Sequence, residues 1–290
     1  MAVVRTAHTN RYFDFRLALG IPLALMALLL MLDPSGVDFA LAHRFYEPGL
    51  GFVGRHNFWL EDILHDRAKQ GVIILGVLSI GGLLLSLVVK QWRAWILPLG
   101  YLVLSLAVST SIVTPLKKLT VMQCPWSLTE FGGEEAFSPL LGERAVTDHP
   151  GRCWPGGHAS AGFSLIALFF ALRDRYPRCA RVALALALGL GTIFSIGRVM
   201  QGAHFLSHNL WTLLFDWLIC TLFYRWLLYR PSAVCDASPA QLPVHPWQYC
   251  PPRIPAWRKH ADCQCAHLPV KWLPEHARGH DRRRVSRPIC

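Results

Sequence analysis

The 290-residue chain is 53% hydrophobic and only 16% charged, with a formal net charge of +11 and a positive mean hydropathy of +0.32. A soluble globular protein of this length carries more charge, so the composition excludes an ordinary water-soluble domain and points to a bilayer. The expected partners are the lipid bilayer and molecules presented at its surface; no nucleic-acid partner is expected.

Six apolar stretches follow in chain order, at about 16–32, 71–89, 94–114, 159–172, 182–197 and 210–228, against roughly 20 residues per crossing. The fourth and fifth are short as apolar runs. They reach crossing length only if neighbouring polar residues extend each helix at one end, which an interfacial site would demand. The expected fold is all-α, a six-helix transmembrane bundle over residues 1–230. Pro34-Ser35-Gly36 makes a poor small-residue cleavage site, so the first stretch is read as a span and not a removed signal.

Basic residues set the expected orientation. Arg5, Arg11 and Arg16 precede the first span, Lys90 and Arg93 lie in the second loop, and Arg173, Arg175, Arg178 and Arg181 in the fourth. These segments share one side of a six-span arrangement, read as cytoplasmic, and the first, third and fifth loops face outward. Trp92, Trp95, Trp211 and Trp226 lie near span ends, where an interfacial aromatic belt would place them.

Composition breaks after Arg230. Residues 231–290 hold half of the twenty prolines, five histidines and five of the nine cysteines, with no apolar run. Such a segment cannot readily bury a core, so a basic, largely disordered cytoplasmic tail is expected, held by its charge against anionic headgroups. Cys263-Gln264-Cys265 with His260 and His267 fits no structural zinc spacing well.

Three stretches place cations and histidines at the outer ends of the apolar segments: K-K-L-T-V-M-Q-C-P from Lys117, P-G-G-H from Pro155 to His158, and G-R-V-M-Q-G-A-H-F-L-S-H ending at His208. A phosphoryl group in transfer spreads negative charge over its oxygens and calls for fixed cations, N–H donors, a nucleophile and a proton donor. These stretches supply all four. Their order and spacing resemble the type 2 phosphatidic acid phosphatase superfamily, which also contains the vanadium haloperoxidases. That family's pattern is Lys, six residues, Arg-Pro; then Pro-Ser-Gly-His; then Ser-Arg, five residues, His, three residues, Asp. Here Lys117 precedes Cys124-Pro125 by six residues, Pro155-Gly156-Gly157-His158 follows, and Arg198 precedes His204 by five. Cys124 stands where the family has Arg, Gly197 where it has Ser, and His208 where it has Asp. The resemblance extends over roughly residues 15–230.

The resemblance implies an integral membrane, metal-independent phosphatase of a bacterial inner membrane. Its site would face the periplasm or exterior, and its substrate would be a lipid phosphomonoester or diphosphate. No cofactor is expected. His204 is the candidate nucleophile, forming a phosphohistidine intermediate, and His158 the acid that protonates the leaving alkoxide and later activates water. Lys117 and Arg198 are the candidate phosphate clamps, with Lys118 as the alternative to Lys117. Gly156 and Gly157 would let backbone N–H groups approach phosphate. Arg152 is the nearest candidate to replace the cation missing at Cys124. His208, four residues after His204, would orient the nucleophilic imidazole as the family's Asp does. Asp216 lies two turns further along, where direct contact and a structural hydrogen bond are both open. Glu130, Glu134 and Glu135 make part of the third loop acidic.

Other readings stay open from the sequence: a phosphotransferase that passes the group to another lipid, a zinc site of His158, His204 and His208, a haloperoxidase, and a non-enzymatic binding or scaffold protein. Cys124 and Cys153 both fall in the third loop. A disulfide between them would pin the Lys117 arm beside the Pro155 to His158 turn; two unpaired thiols are the alternative.

Overall fold

A computed structural model of the chain describes residues 12–55 and 68–229. The chain divides into two units, Met1–Arg230 and Pro231–Cys290. The expectations for Arg5, Arg11 and the tail lie outside the described residues.

The first unit is helical. In chain order it runs α1 (Phe15–Met31), α2 (Ser35–His43), a short antiparallel hairpin of β1 (Tyr46–Glu47) and β2 (Gly51–Phe52), α3 (Ala68–Val88), α4 (Ile96–Ser111), α5 (Val113–Thr120), α6 (Gly157–Phe163), α7 (Ile166–Leu172), α8 (Pro177–Met200) and α9 (Leu206–Phe223). Asp14 caps α1 by accepting the N–H groups of Arg16 and Leu17, and Pro177 opens α8, where its missing N–H costs nothing.

All six expected stretches are helical, but length and apolarity alone do not confirm six crossings. Among the described residues four helical stretches are long and apolar enough to cross a membrane unaided: Gln70–Val88, Lys90–Ser127, Pro177–Met200 and Leu206–Leu228. The first expected span is only 17 residues in α1, and the chain then bends by 82° into α2, so α1 reaches the criterion only together with α2. The fourth is the 16-residue pair Gly157–Leu172, short because α6 begins at the glycine turn that carries His158. At 1.5 Å per residue each spans about 25 Å, less than the roughly 30 Å of a hydrocarbon core.

The helices bury a core between α4, α6, α7, α8 and α9, centred on Tyr101, Phe163, Ile166, Phe170 and Tyr224. Their outward faces carry large exposed apolar side chains such as Ile73, Val77, Leu78, Val182 and Leu186, more than water-facing surfaces ordinarily show and compatible with an integral membrane protein. The aromatic belt is smaller than expected. Trp92, Trp95 and Trp226 are exposed, but Trp211 is buried against Trp154, with ring centroids 5.4 Å apart. One close approach sets the placement of α6: a Cβ on Gly162 would sit 2.4 Å from the Gly191 nitrogen, so only glycine lets α6 lie directly on α8.

Candidate functional site

Each candidate arm reaches the site through local rules visible in the sequence. α8 ends in Met200-Gln201-Gly202, and Gly202 takes φ +68°, a left-handed turn that glycine adopts without strain. The Gly202 N–H donates to the Val199 carbonyl (2.9 Å) and the Ala203 N–H to the Arg198 carbonyl (2.9 Å), which together make a Schellman ending. The His204 N–H also donates to the Arg198 carbonyl, at 3.3 Å. The five-residue spacing from Arg198 to His204 is thus the length of this helix stop.

The second arm is anchored from α9. The Gly156 N–H donates to the His208 carbonyl (3.1 Å), and the Thr212 hydroxyl lies 3.0 Å from both the Gly156 and His208 carbonyls. α6 then starts at Gly157, with His158 in its first turn. The first arm ends where Val121, at φ +42°, stops α5 just after Thr120. Thr120 Oγ1 donates to the Trp154 carbonyl at 3.1 Å, and the Cys153 N–H to the Met122 carbonyl at 3.0 Å. Beside them Cys124 and Cys153 form a disulfide, with Cα atoms 5.2 Å apart. The pairing left open by the sequence is therefore made.

These anchors gather Lys117, Gly157, His158, Gly197 and Arg198 around one cavity of about 480 Å³. A Cβ on Gly157 would lie 3.5 Å from Lys117 Nζ, which places the ammonium beside the glycine turn. Of the two lysines it is Lys117 that lines the cavity; Lys118 is exposed and does not. Arg198 donates to Gln201 Oε1 (2.8 Å) and stands 5.9 Å over the Trp126 ring. His204 is buried and is not among the residues lining the cavity; its ring centroid is 6.4 Å from that of His158, and among the described residues its Nδ1 has no hydrogen-bond partner. Burial, and then the charges of Lys117, His208, Arg198 and His158, push the His204 imidazole well below its ordinary pKa of 6.5. It stays neutral at physiological pH, the form in which a ring nitrogen is nucleophilic. From the cationic end the cavity runs down between α3, α4 and α8 past Ile73, Ile80, Val103, Leu106 and Phe194.

The family model of the PAP2 superfamily matches residues 98–232, which carry Lys117, His158, Arg198 and His204. This segment, a little under half of the chain, is similar to members of the PAP2 superfamily. No curated protein and no solved structure matches the chain. That similarity supports a phosphatase-type function in general.

The departures from the PAP2 pattern have local explanations. Gly156, where the pattern has serine, faces Asn209: a Cβ there would sit 2.2 Å from Asn209 Oδ1. The amide fills the space of the missing side chain. Asn209 was not legible as a site residue, since its neighbours Gly156 and Ser195 are distant in sequence. Cys124 gives up the family's cation and supplies half of the disulfide. Arg152 does not replace that cation: it is exposed and lines a separate cavity with Glu134, Glu135 and Cys124, away from Lys117 and Arg198. Glu130 pairs with His43 Nε2 (2.9 Å) and Glu135 accepts from Thr147 Oγ1 (2.8 Å), so neither lines the main cavity.

His208 is buried, but no hydrogen bond joins it to His204. The rings lie edge to face with centroids 6.1 Å apart, neither Nδ1 has a hydrogen-bond partner among the described residues, and His208 faces the Cys153 backbone and a second cavity beside Asp38 and Trp211. Gly156 also differs from expectation, because its N–H is already given to His208 and a backbone cradle for phosphate would begin at Gly157. Asp216 is buried below the site, accepting from Ser160 Oγ at 3.3 Å, a structural bond between α6 and α9. Among the described residues no group of three or more His, Cys, Asp or Glu side chains is arranged to hold a metal ion.

Proposed function

We propose that the protein is an integral membrane phosphatase that hydrolyses a lipid phosphomonoester or diphosphate through a phosphohistidine at His204. Lys117 and Arg198 hold the phosphate oxygens and stabilise the charge that spreads over them in the transition state. A ring nitrogen of His204 attacks phosphorus, an N–P bond forms, and the P–O bond to the leaving alkoxide breaks as protonated His158 gives that oxygen its proton. Neutral His158 then takes a proton from water, the hydroxide forms the new P–O bond, and the N–P electron pair returns to His204. No metal takes part in either step. The motif end of the bundle faces the periplasm or exterior of a bacterial inner membrane, as the basic loops imply.

The observation that carries this reading is the shape of the cavity: two fixed cations and a histidine at one end, and apolar walls below them in a stretch compatible with the bilayer. A soluble phosphate ester has no use for those walls, whereas a lipid phosphate fills both parts. Purified protein in detergent is expected to release inorganic phosphate from phosphatidate or an isoprenyl diphosphate equally well with and without chelator. Release that ends with chelator and returns with added zinc would contradict the metal-independent mechanism.

A further inference from the structure

Asp38 lies 169 residues before its partner Ser207 and belongs to none of the three motifs. It is 5% exposed, in the middle of α2, and its carboxylate faces the first turn of α9: Oδ1 accepts the Ser207 N–H at 2.9 Å, Oδ2 accepts the Ser207 hydroxyl, and the Leu206 backbone also interacts with it. Ser207 is the second residue of α9. The residue that precedes this helix, Phe205, has no side-chain acceptor for the unpaired N–H groups of the first turn. Asp38 therefore caps α9 from another helix, and places a carboxylate at the positive end of its dipole.

What hangs on that first turn is the site itself. His204 stands three residues before Ser207, and the His208 carbonyl immediately after it holds the Gly156 N–H, hence the turn that presents His158. α2 is braced to carry the load. The 82° bend after α1 turns it across the bundle end, and Phe39 packs on Phe205, Phe131 and Phe137 at 5.2, 5.7 and 4.9 Å. The family's carboxylate at position 208 is absent here, and His208 makes no hydrogen bond to His204.

We infer that Asp38 is a positioning residue for His204: its clamp on Ser207 fixes the start of α9, and with it the separation of the nucleophile from His158. The inference rests on the reading of His204 as the nucleophile. A buried carboxylate is costly unless fully hydrogen-bonded, and both of its oxygens are engaged by the one residue whose placement sets the turn.

The test measures phosphate release from phosphatidate and an isoprenyl diphosphate in mixed micelles, with thermal midpoints taken on the same preparations. Asp38→Ala is expected to lower kcat by roughly 10²-fold with KM within about threefold, because a shift of order 1 Å at the nucleophile spoils attack without touching the phosphate clamps. Asp38→Asn keeps an acceptor for the Ser207 N–H and is expected to restore most of the rate. Ser207→Ala, which removes only the hydroxyl contact and cannot unfold α2, is expected to fall between wild type and Asp38→Ala. An Asp38→Ala protein with wild-type kcat, an Asn variant as impaired as the Ala variant, or a rise in KM at unchanged kcat would overturn the inference while leaving the catalytic reading intact. A correctly inserted wild-type protein that releases no phosphate from either substrate would overturn both.

Discussion

Restoring the family's serine at position 156 probes how tightly the site is packed. A Cβ there would stand 2.2 Å from Asn209 Oδ1 and 3.5 Å from Asn209 Cα, so it intrudes by about 1 Å on the amide at ordinary contact distance. Asn209 cannot simply swing away. It is buried, and its Nδ2 donates to the Ser195 and Phe205 carbonyls at 3.4 and 3.3 Å. If residue 156 retreats instead, its bonds with the His208 carbonyl and the Thr212 hydroxyl stretch. Either response is an overpacking cost of roughly 1–3 kcal/mol. Because the same turn presents His158, a displacement of about 1 Å is expected to lower kcat by roughly 10²-fold. Gly156→Ser should therefore reduce both the thermal midpoint in detergent and phosphate release, and adding Asn209→Ala should recover part of each, with a coupling of roughly 0.5–3 kcal/mol. A Gly156→Ser protein with unchanged midpoint and rate, or single effects that simply add, would refute the packing argument.

Three further outcomes are expected. The Cys124–Cys153 bridge closes a separation of 29 residues, which in the chain-entropy account stabilises by roughly 3–4 kcal/mol. Replacing both cysteines by serine should lower the unfolding midpoint, and reductant should do the same to wild type but not to the variant; a wild-type midpoint unmoved after verified reduction would contradict this. The depressed His204 pKa means that below pH 6.5 the unfolded chain takes up a proton that the folded chain refuses, so stability is full above pH 6.5 and is lost as pH falls. The acid limb of kcat/KM assigned to His204 should likewise lie below pH 6.5, and Lys117→Met should move it upward by removing a repelling charge; a limb at or above 6.5 in wild type would contradict the burial argument. Finally, Arg152→Ala should leave kcat/KM within about twofold while Lys117→Ala lowers it by roughly 10²–10³-fold, and equal losses would return Arg152 to the site.

Lys117, His158, Arg198 and His204 were legible in the sequence because each sits at a helix end whose geometry fixes a spacing. The distance from Arg198 to His204 is the length of a Schellman stop, and Pro155-Gly156-Gly157 is the entry to α6. The helical stretches were legible for a similar reason, since apolar length alone marks them. The number of crossings was legible only in part: the fourth stretch already reads as a short apolar run, but the 82° bend after α1 leaves no signature in hydropathy. Asn209, Thr212 and Asp38 escaped notice because the site partners they meet, Gly156 for the first two and Ser207 for the third, lie 53 to 169 residues away in sequence, and no local pattern encodes such contacts. The placement of Arg152 failed on the same ground. Proximity in sequence to Pro155 says nothing about direction, and Arg152 lines a different cavity, together with Glu134 and Glu135.

The central claim is the covalent intermediate, and trapping it is the most direct test. Lipid diphosphate radiolabelled in its terminal phosphate has a lipid-phosphate leaving group that departs with little help from an acid. Mixed with His158→Ala protein and quenched rapidly, it should leave acid-labile, base-stable label on the peptide that contains His204, because loss of the residue that activates water slows breakdown of the phosphoenzyme. The same experiment on His204→Ala should leave no label and show no turnover. Label on another residue, or phosphate release at the wild-type rate by correctly inserted His204→Ala protein, would contradict the account.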